Sequence, residues 1–221
     1  MRTQPQDVIA KLEADNSRLA KEKILLDAMN EGLDEFFEGL KMCLDKLYTF
    51  GVKQVPTKDE VVAGQGCPWN VFKDLAEKLY NRELTGHNAR DAINLVMSSA
   101  TAEQWNGFYR RILIKDLRCG VSEKTVNSVA KKNKFGKYMV PVFTCQLAHD
   151  SANHEKKLVG KKMLEVKLDG VRTLAIVHPD GKVDMLSRNG KEFTNFGHIQ
   201  DEISAVVKQD PPPYPLSLIH I

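Results

Sequence analysis

The sequence predicts an α+β protein, helical through its first part and β-structured toward its end. Three observations carry this. Apolar residues through 6–113 recur at i, i+3, i+4 and i+7 spacing, the mark of amphipathic helices. From about residue 161 the pattern changes to alternation, with Leu164, Val166 and Leu168 on one side and Glu165, Lys167 and Asp169 on the other. Between them, 140–159 carries Pro141 and little periodicity, as a linker would. The expected organisation is a helical domain over 1–139, a linker over 140–160 and a mixed α/β segment over 161–215.

The helical part divides at its breakers. Val8, Ile9, Leu12, Leu19, Ile24 and Leu25 place a helix over 6–29. Leu33, Phe36, Phe37, Leu40, Cys43, Leu44, Leu47 and Tyr48 make a denser stripe that Gly51 is expected to stop. A loop over 52–69 is punctuated by Pro56, Gly64, Gly66 and Pro68. Val71, Phe72, Leu75, Ala76 and Leu79 give a helix over 70–81; Leu84-Thr85-Gly86 interrupts it, and the pattern resumes over 89–99. Thr101 and Gln104 have the spacing of a capping box. Trp105, Phe108, Ile112 and Leu113 follow it, and their helical spacing marks them as core rather than as a base-stacking platform.

The stretch 116–122 reads as a helix, a tight turn and a second helix. Gly120 suits the left-handed position that closes a helix, and Ser122 is a natural N-cap for a helix over 123–132. Lys115, Arg118, Lys124, Lys131, Lys132, Lys134 and Lys137 cluster around it. A helix start offers free backbone N–H groups to a phosphate, so a nucleic-acid backbone contact through Lys115, Arg118, Gly120, Ser122 and Lys124 is one reading. An ordinary helical hairpin with a solvated basic rim is the other. Phosphate contacts of this kind position a duplex without reading its sequence.

Composition bounds the possibilities. The chain has 221 residues, 42% hydrophobic and 28% charged, as soluble globular proteins do. A net charge of +3 gives no bulk argument for nucleic acid, so basic residues would have to gather on one face. The 4 cysteines are widely spaced, with neither a zinc pattern nor a disulfide framework, which fits a reducing compartment. No signal peptide or membrane span is read, and a cytoplasmic monomer is expected.

The chemistry-bearing stretch is Glu165-Val166-Lys167-Leu168-Asp169-Gly170-Val171-Arg172. As a strand it sets Lys167 between two carboxylates, then turns at Gly170 and presents the planar cation of Arg172, suited to phosphate or ribose oxygens. A surface strand with alternating charges and an Asp-Gly turn has the same pattern. Downstream, Pro179-Asp180-Gly181-Lys182 is a hairpin turn between strands over 172–178 and 183–188, Asn189-Gly190 is another turn, and a short helix runs from Phe196 to about Lys208.

Lys167-Leu168-Asp169-Gly170-Val171-Arg172 resembles the Lys-x-Asp-Gly-x-Arg motif of the covalent nucleotidyltransferases, which include ATP-dependent DNA ligases, RNA ligases and mRNA-capping enzymes. Ser187-Arg188-Asn189-Gly190 is similar to their Ser-Arg-x-Gly segment and follows at the family's distance. The stretch from Leu84-Thr85-Gly86 to Leu117-Arg118-Cys119-Gly120-Val121-Ser122 resembles the helical DNA-binding domain that precedes the catalytic domain in DNA ligases, in the layout of T-even phage enzymes. Gln146-Leu147-Ala148 is similar to the ligase lead-in segment.

The resemblance implies an ATP-grasp-like adenylation domain, ATP and Mg²⁺ as cofactors and nicked double-stranded DNA as partner, in replication, repair and recombination. It makes Lys167 the catalytic nucleophile, with Glu165 holding adenine and Arg172 and Arg188 holding ribose and phosphates. No residue is assigned to the metal. An RNA ligase, a capping-type enzyme and a non-catalytic DNA-binding module are the alternatives. Leu216-Ser217-Leu218-Ile219-His220-Ile221 resembles a translated sequencing adapter, so the native protein is expected to be longer and this chain to be inactive in nick sealing.

Overall fold

The structure, a computed structural model, describes residues 3–59, 64–144, 151–161, 172–209 and 216–220. The chain divides into two compact units, Met1–Val142 and Phe143–Ile221. The first is helical and the second mixed, so the α+β class is the one found.

In the first unit the helix expected over 6–29 is two helices, α1 (Pro5–Ala14) and α2 (Arg18–Asn30). The break lies at Asp15-Asn16-Ser17, where the Asp15 carboxylate accepts from the Ser17 N–H at 2.7 Å. Short polar side chains offer the backbone such a local alternative to the helix. Helix α3 (Asp34–Leu44) likewise ends well before Gly51, because Asp45 turns the chain and accepts from the Leu47 N–H at 2.9 Å. Leu47 and Tyr48 therefore lie beyond the helix they were expected to extend.

Helix α4 (Trp69–Tyr80) matches its stripe, whereas α5 (Gly86–Ser99) starts before its stripe, at the Gly86 expected to interrupt it. The Thr101–Gln104 capping box is present: the Thr101 hydroxyl accepts from the Gln104 N–H at 3.1 Å, and the Gln104 amide oxygen accepts from the Thr101 N–H at 3.3 Å. It opens α6 (Ala102–Gln104), which runs through a π-helical stretch (Trp105–Tyr109) into α7 (Arg110–Leu113). Trp105, Phe108 and Ile112 are fully buried, and the Trp105 indole donates to the Pro56 carbonyl at 2.8 Å. They are core, as their spacing implied. Gly39 of α3 faces them, where a Cβ would stand 2.5 Å from the Phe108 ring, so the two helices meet through a residue without a side chain. Helix α8 (Glu123–Lys132) closes the set, with Val126, Val129 and Ala130 inward.

In the second unit, β1 (Thr173–Val177) and β2 (Val183–Ser187) form an antiparallel hairpin in register Thr173↔Ser187 through Val177↔Val183. Its turn is closed by Gly181 N–H to the His178 carbonyl and by His178 N–H to the Lys182 carbonyl. Ala175, Val177, Val183 and Met185 pack against Phe193, Phe196, Ile199, Ile203 and Val207, the last three from α9 (Gly197–Val207). The backbone of Leu216–His220, within the adapter-like segment, forms β3 antiparallel to β1, giving sheet order β2-β1-β3. The strand expected over 163–168 lies outside the described residues.

Candidate functional site

Lys167, Glu165, Asp169 and Gly170 lie outside the described residues, whereas the cations expected to work with them, Arg172 and Arg188, are within them. Arg172 immediately precedes β1 and Arg188 immediately follows β2. Because Thr173 pairs with Ser187, the two arginines leave the hairpin at the same end. Two guanidinium groups at one strand end suit an anionic ligand such as a polyphosphate.

Local chemistry explains why the backbone turns at Arg188. Gly190 N–H donates to the Ser187 carbonyl at 2.8 Å, which makes Ser187–Gly190 a β-turn with Arg188 at its first corner. The Ser187 hydroxyl accepts from the Lys191 N–H at 3.0 Å, and Ser187 N–H donates to the Lys191 carbonyl at 2.7 Å. Gly190 is left-handed, with φ 83°, and a Cβ there would lie 2.5 Å from the Phe143 ring. Ser187 and Gly190 thus build the turn, and Arg188 is what the turn displays.

The 114–122 loop of the helical unit is more heavily braced than its sequence implied. Helix α7 is closed by Lys115 rather than by Gly120. Lys115 has φ 60°, its N–H donates to the Ile112 carbonyl, and Asp116 N–H donates to the Arg111 carbonyl. This is the double bond pattern of a Schellman motif with lysine in the usual glycine position. The Lys115 ammonium turns inward and donates to the carbonyls of Met42, Asp45 and Tyr48. Burial pulls its pKa below the ordinary lysine value, against the opposing pull of Cys43 and Asp45. An ammonium has three protons, and here all three tie down the end of α3 and the turn that follows it. Lys115 thus has a structural task in this fold, beside the DNA contact its sequence context suggested.

Gly120 is left-handed, with φ 62°, as expected, but its reason is Lys21. The Lys21 ammonium donates to the Cys119 carbonyl at 2.8 Å, and a Cβ on Gly120 would lie 2.6 Å from that nitrogen. Arg111 braces the loop again, donating to the Leu117 carbonyl at 2.9 Å and to Glu13 at 2.7 Å. Ser122 caps α8 as anticipated, accepting from the Thr125 N–H at 3.4 Å, and Glu123 places a carboxylate in that helix's first turn. Arg118 and Lys124 remain exposed. Arg118 has φ 54° and stands 3.7 Å from Asp116, an exposed pair of small energetic weight.

Among the described residues, no group of three or more His, Cys, Asp or Glu side chains could hold a metal ion. No described helix is long and apolar enough to cross a membrane.

A family model described as "ATP dependent DNA ligase domain" matches residues 144–214, which include both the Lys167 and the Ser187 motifs. Two solved structures, titled "Pmar-Lig_Pre." and "Pmar-Lig_PreS3", are 59% and 60% identical to this chain, each with a TM-score of 0.85. Its segment 144–214 belongs to the ATP-dependent DNA ligase domain family. The chain spans about half the length of those structures, covering 49% of each, while each alignment covers 98% of this chain. A search of the curated proteins returned no match.

In the helical unit, the residues missed by sequence reasoning are its internal lysine caps. Lys58 is 5% exposed and donates to the carbonyls of Met97, Ser98 and Ala100 at the end of α5. Lys21 and Lys115 do the same kind of work elsewhere in this unit. Nothing in a lysine's sequence neighbourhood distinguishes such a cap from a surface charge.

Proposed function

We propose that this chain carries the helical DNA-binding part and the nucleophile-bearing part of an ATP-dependent DNA ligase that seals nicks with a 5′-phosphate and a 3′-hydroxyl. The observation that carries the reading is the occurrence of the Lys167 and Ser187 motifs, in order, inside the matched residues 144–214.

In this mechanism the Lys167 amine attacks the α-phosphorus of ATP. A P–N bond forms, the bond to pyrophosphate breaks, and the amine loses its proton. The adenylyl group then moves to the 5′-phosphate of the nick, breaking the P–N bond and forming a phosphoanhydride. The 3′-hydroxyl attacks that activated phosphorus, AMP departs, and a phosphodiester remains. Lys167 must be neutral to attack, so cationic neighbours have to lower its pKa against the opposing field of Asp169. Arg172 and Arg188 supply positive charge of this kind and hold ribose and phosphate oxygens, and Glu165 holds the adenine. Positioning and charge stabilisation account for most of the rate in such transfers. Mg²⁺, the metal expected with ATP, would add charge neutralisation on the phosphates, and no residue of this chain is assigned to it.

On the helical unit, Arg118 and Lys124 contact the duplex backbone, while Gly120 and Ser122 shape the loop that presents them. The enzyme works in the cytoplasm as a monomer. Sealing assays with the complete gene product test the reading. Conversion of a 5′-phosphorylated nick with ATP, and none without the 5′-phosphate, is the expected result. Preference for nicked RNA would place the protein among RNA ligases instead.

A further inference from the structure

The helical unit contains a concavity of about 330 Å³ away from the 114–122 loop, between the segment after α3 and the start of α5. Its wall includes Gly51, Lys53, Arg82, Thr85, Gly86 and Arg90. Three of its lining residues are cations and none is a carboxylate. Among the described residues, none of the three cations is in an ion pair. Some exposed cations elsewhere on this unit do find carboxylates, as Lys78 finds Asp74 and Lys137 finds Asp34. Three like charges lining one hollow repel each other, and a bound anion would offset that repulsion.

Arg82 is held in the hollow by the backbone. It closes α4 with φ 63°, its N–H donating to the Leu79 carbonyl and Glu83 N–H to the Lys78 carbonyl. Glycine is the residue suited to that position, and arginine is strained there. Its guanidinium lies so close over Gly51 that any side chain at Gly51 would overlap it, and Gly51 is itself left-handed with φ 68°. Opposite, Thr85 precedes α5 without a side-chain cap on the first-turn N–H groups. The Leu84-Thr85-Gly86 break is therefore more than a helix stop: it forms one wall of a cationic hollow.

We propose that this concavity binds a phosphate group, through Lys53, Arg82 and Arg90. Resting on the ligase reading, that phosphate is a backbone phosphodiester of the duplex, gripped at a second point apart from Arg118 and Lys124. A planar, forked guanidinium on Arg82 and on Arg90 matches phosphate oxygens in pairs, and Lys53 adds a point charge.

The experiment compares the 221-residue chain with a Lys53→Gln/Arg82→Gln/Arg90→Gln variant, by fluorescence anisotropy on nicked duplex across a salt series and by amide chemical shifts. The exposed, unpaired cations leave the variant folded, which circular dichroism checks. The expected result is affinity lower by about tenfold or more and a log–log salt slope shallower by about one per cation removed. The Gly51, Arg82 and Gly86 amides should shift with nicked DNA in wild type alone. As a second probe, Arg82→Gly should melt at or above wild type while binding DNA more weakly, since it removes the strain and the cation together. Equal affinity and slope for wild type and triple variant would overturn the inference and leave the ligase reading standing. If DNA shifts no amide but inorganic phosphate shifts these three, the hollow takes free phosphate and the DNA reading fails instead. Silence toward both ligands overturns the inference outright.

Discussion

The Lys21 ammonium of α2 donates to the Cys119 carbonyl at 2.8 Å, and Gly120 next to it leaves the space through which that contact is made. A loop that reads as a DNA-facing glycine turn is thereby stitched to the core from within. Gly120→Ala forces a side chain into a left-handed backbone at φ 62° and displaces Lys21. The fold should lose about 1–2 kcal/mol by urea unfolding.

Lys115→Met removes three hydrogen bonds to the carbonyls of Met42, Asp45 and Tyr48. The expected loss is about 2–3 kcal/mol in stability, at the upper end for bonds from a charged group. Nicked-DNA affinity of the folded variant should stay within about twofold of wild type, whereas Arg118→Gln should lower affinity and the salt slope without unfolding the protein. The opposite pattern would place Lys115 on the DNA face.

What was legible in the sequence follows from the range of each interaction. The capping box at Thr101, the Ser122 cap and the hairpin turn at Gly181 are made by residues a few positions apart, so their spacing announces them. Trp105 and Phe108 announce themselves as core by helical periodicity. The break at 15–17 and the early end of α3 were hidden because one aspartate in each outcompetes an apolar stripe that runs on regardless. Lys21, Lys58 and Lys115 act on carbonyls 39 to 98 residues away, and no local pattern reports that. At the site, the two motifs were legible as spaced residues. That Ser187 and Gly190 serve the turn while Arg188 is displayed needed the hydrogen bonds.

Gly190→Ala tests that division of labour. The backbone is left-handed at φ 83°, and a Cβ meets the Phe143 ring at 2.5 Å. The turn should distort, and adenylation should fall at least as far as in Arg188→Ala. Ser187→Ala removes only the bond from Lys191 N–H, so a cost of about 1 kcal/mol and a smaller loss of adenylation are expected.

The helical unit should weaken in alkali. Burial raises the Cys43 thiol to about 12 from 9.0 and the Tyr48 phenol to about 12 from 10.0, and it also raises Cys67, Cys119 and Tyr109. Each group stays protonated in the fold after its unfolded counterpart has begun to lose its proton. The unfolded state then binds fewer protons, so stability falls as pH rises above about 9. Lys115, with its pKa lowered by burial, has the opposite sign and offsets part of the fall. Urea midpoints at pH 7.5 and 10 check the direction: a higher midpoint at pH 10 would contradict it.

Self-labelling of the complete gene product with α-labelled ATP and Mg²⁺, beside a Lys167→Ala variant, tests whether Lys167 is the nucleophile. Label from ATP is expected on the wild type alone, released when nicked DNA is added. Label that persists in Lys167→Ala, or that comes from GTP and not ATP, would contradict that expectation, as would a folded wild type that binds nicked DNA and takes up no label.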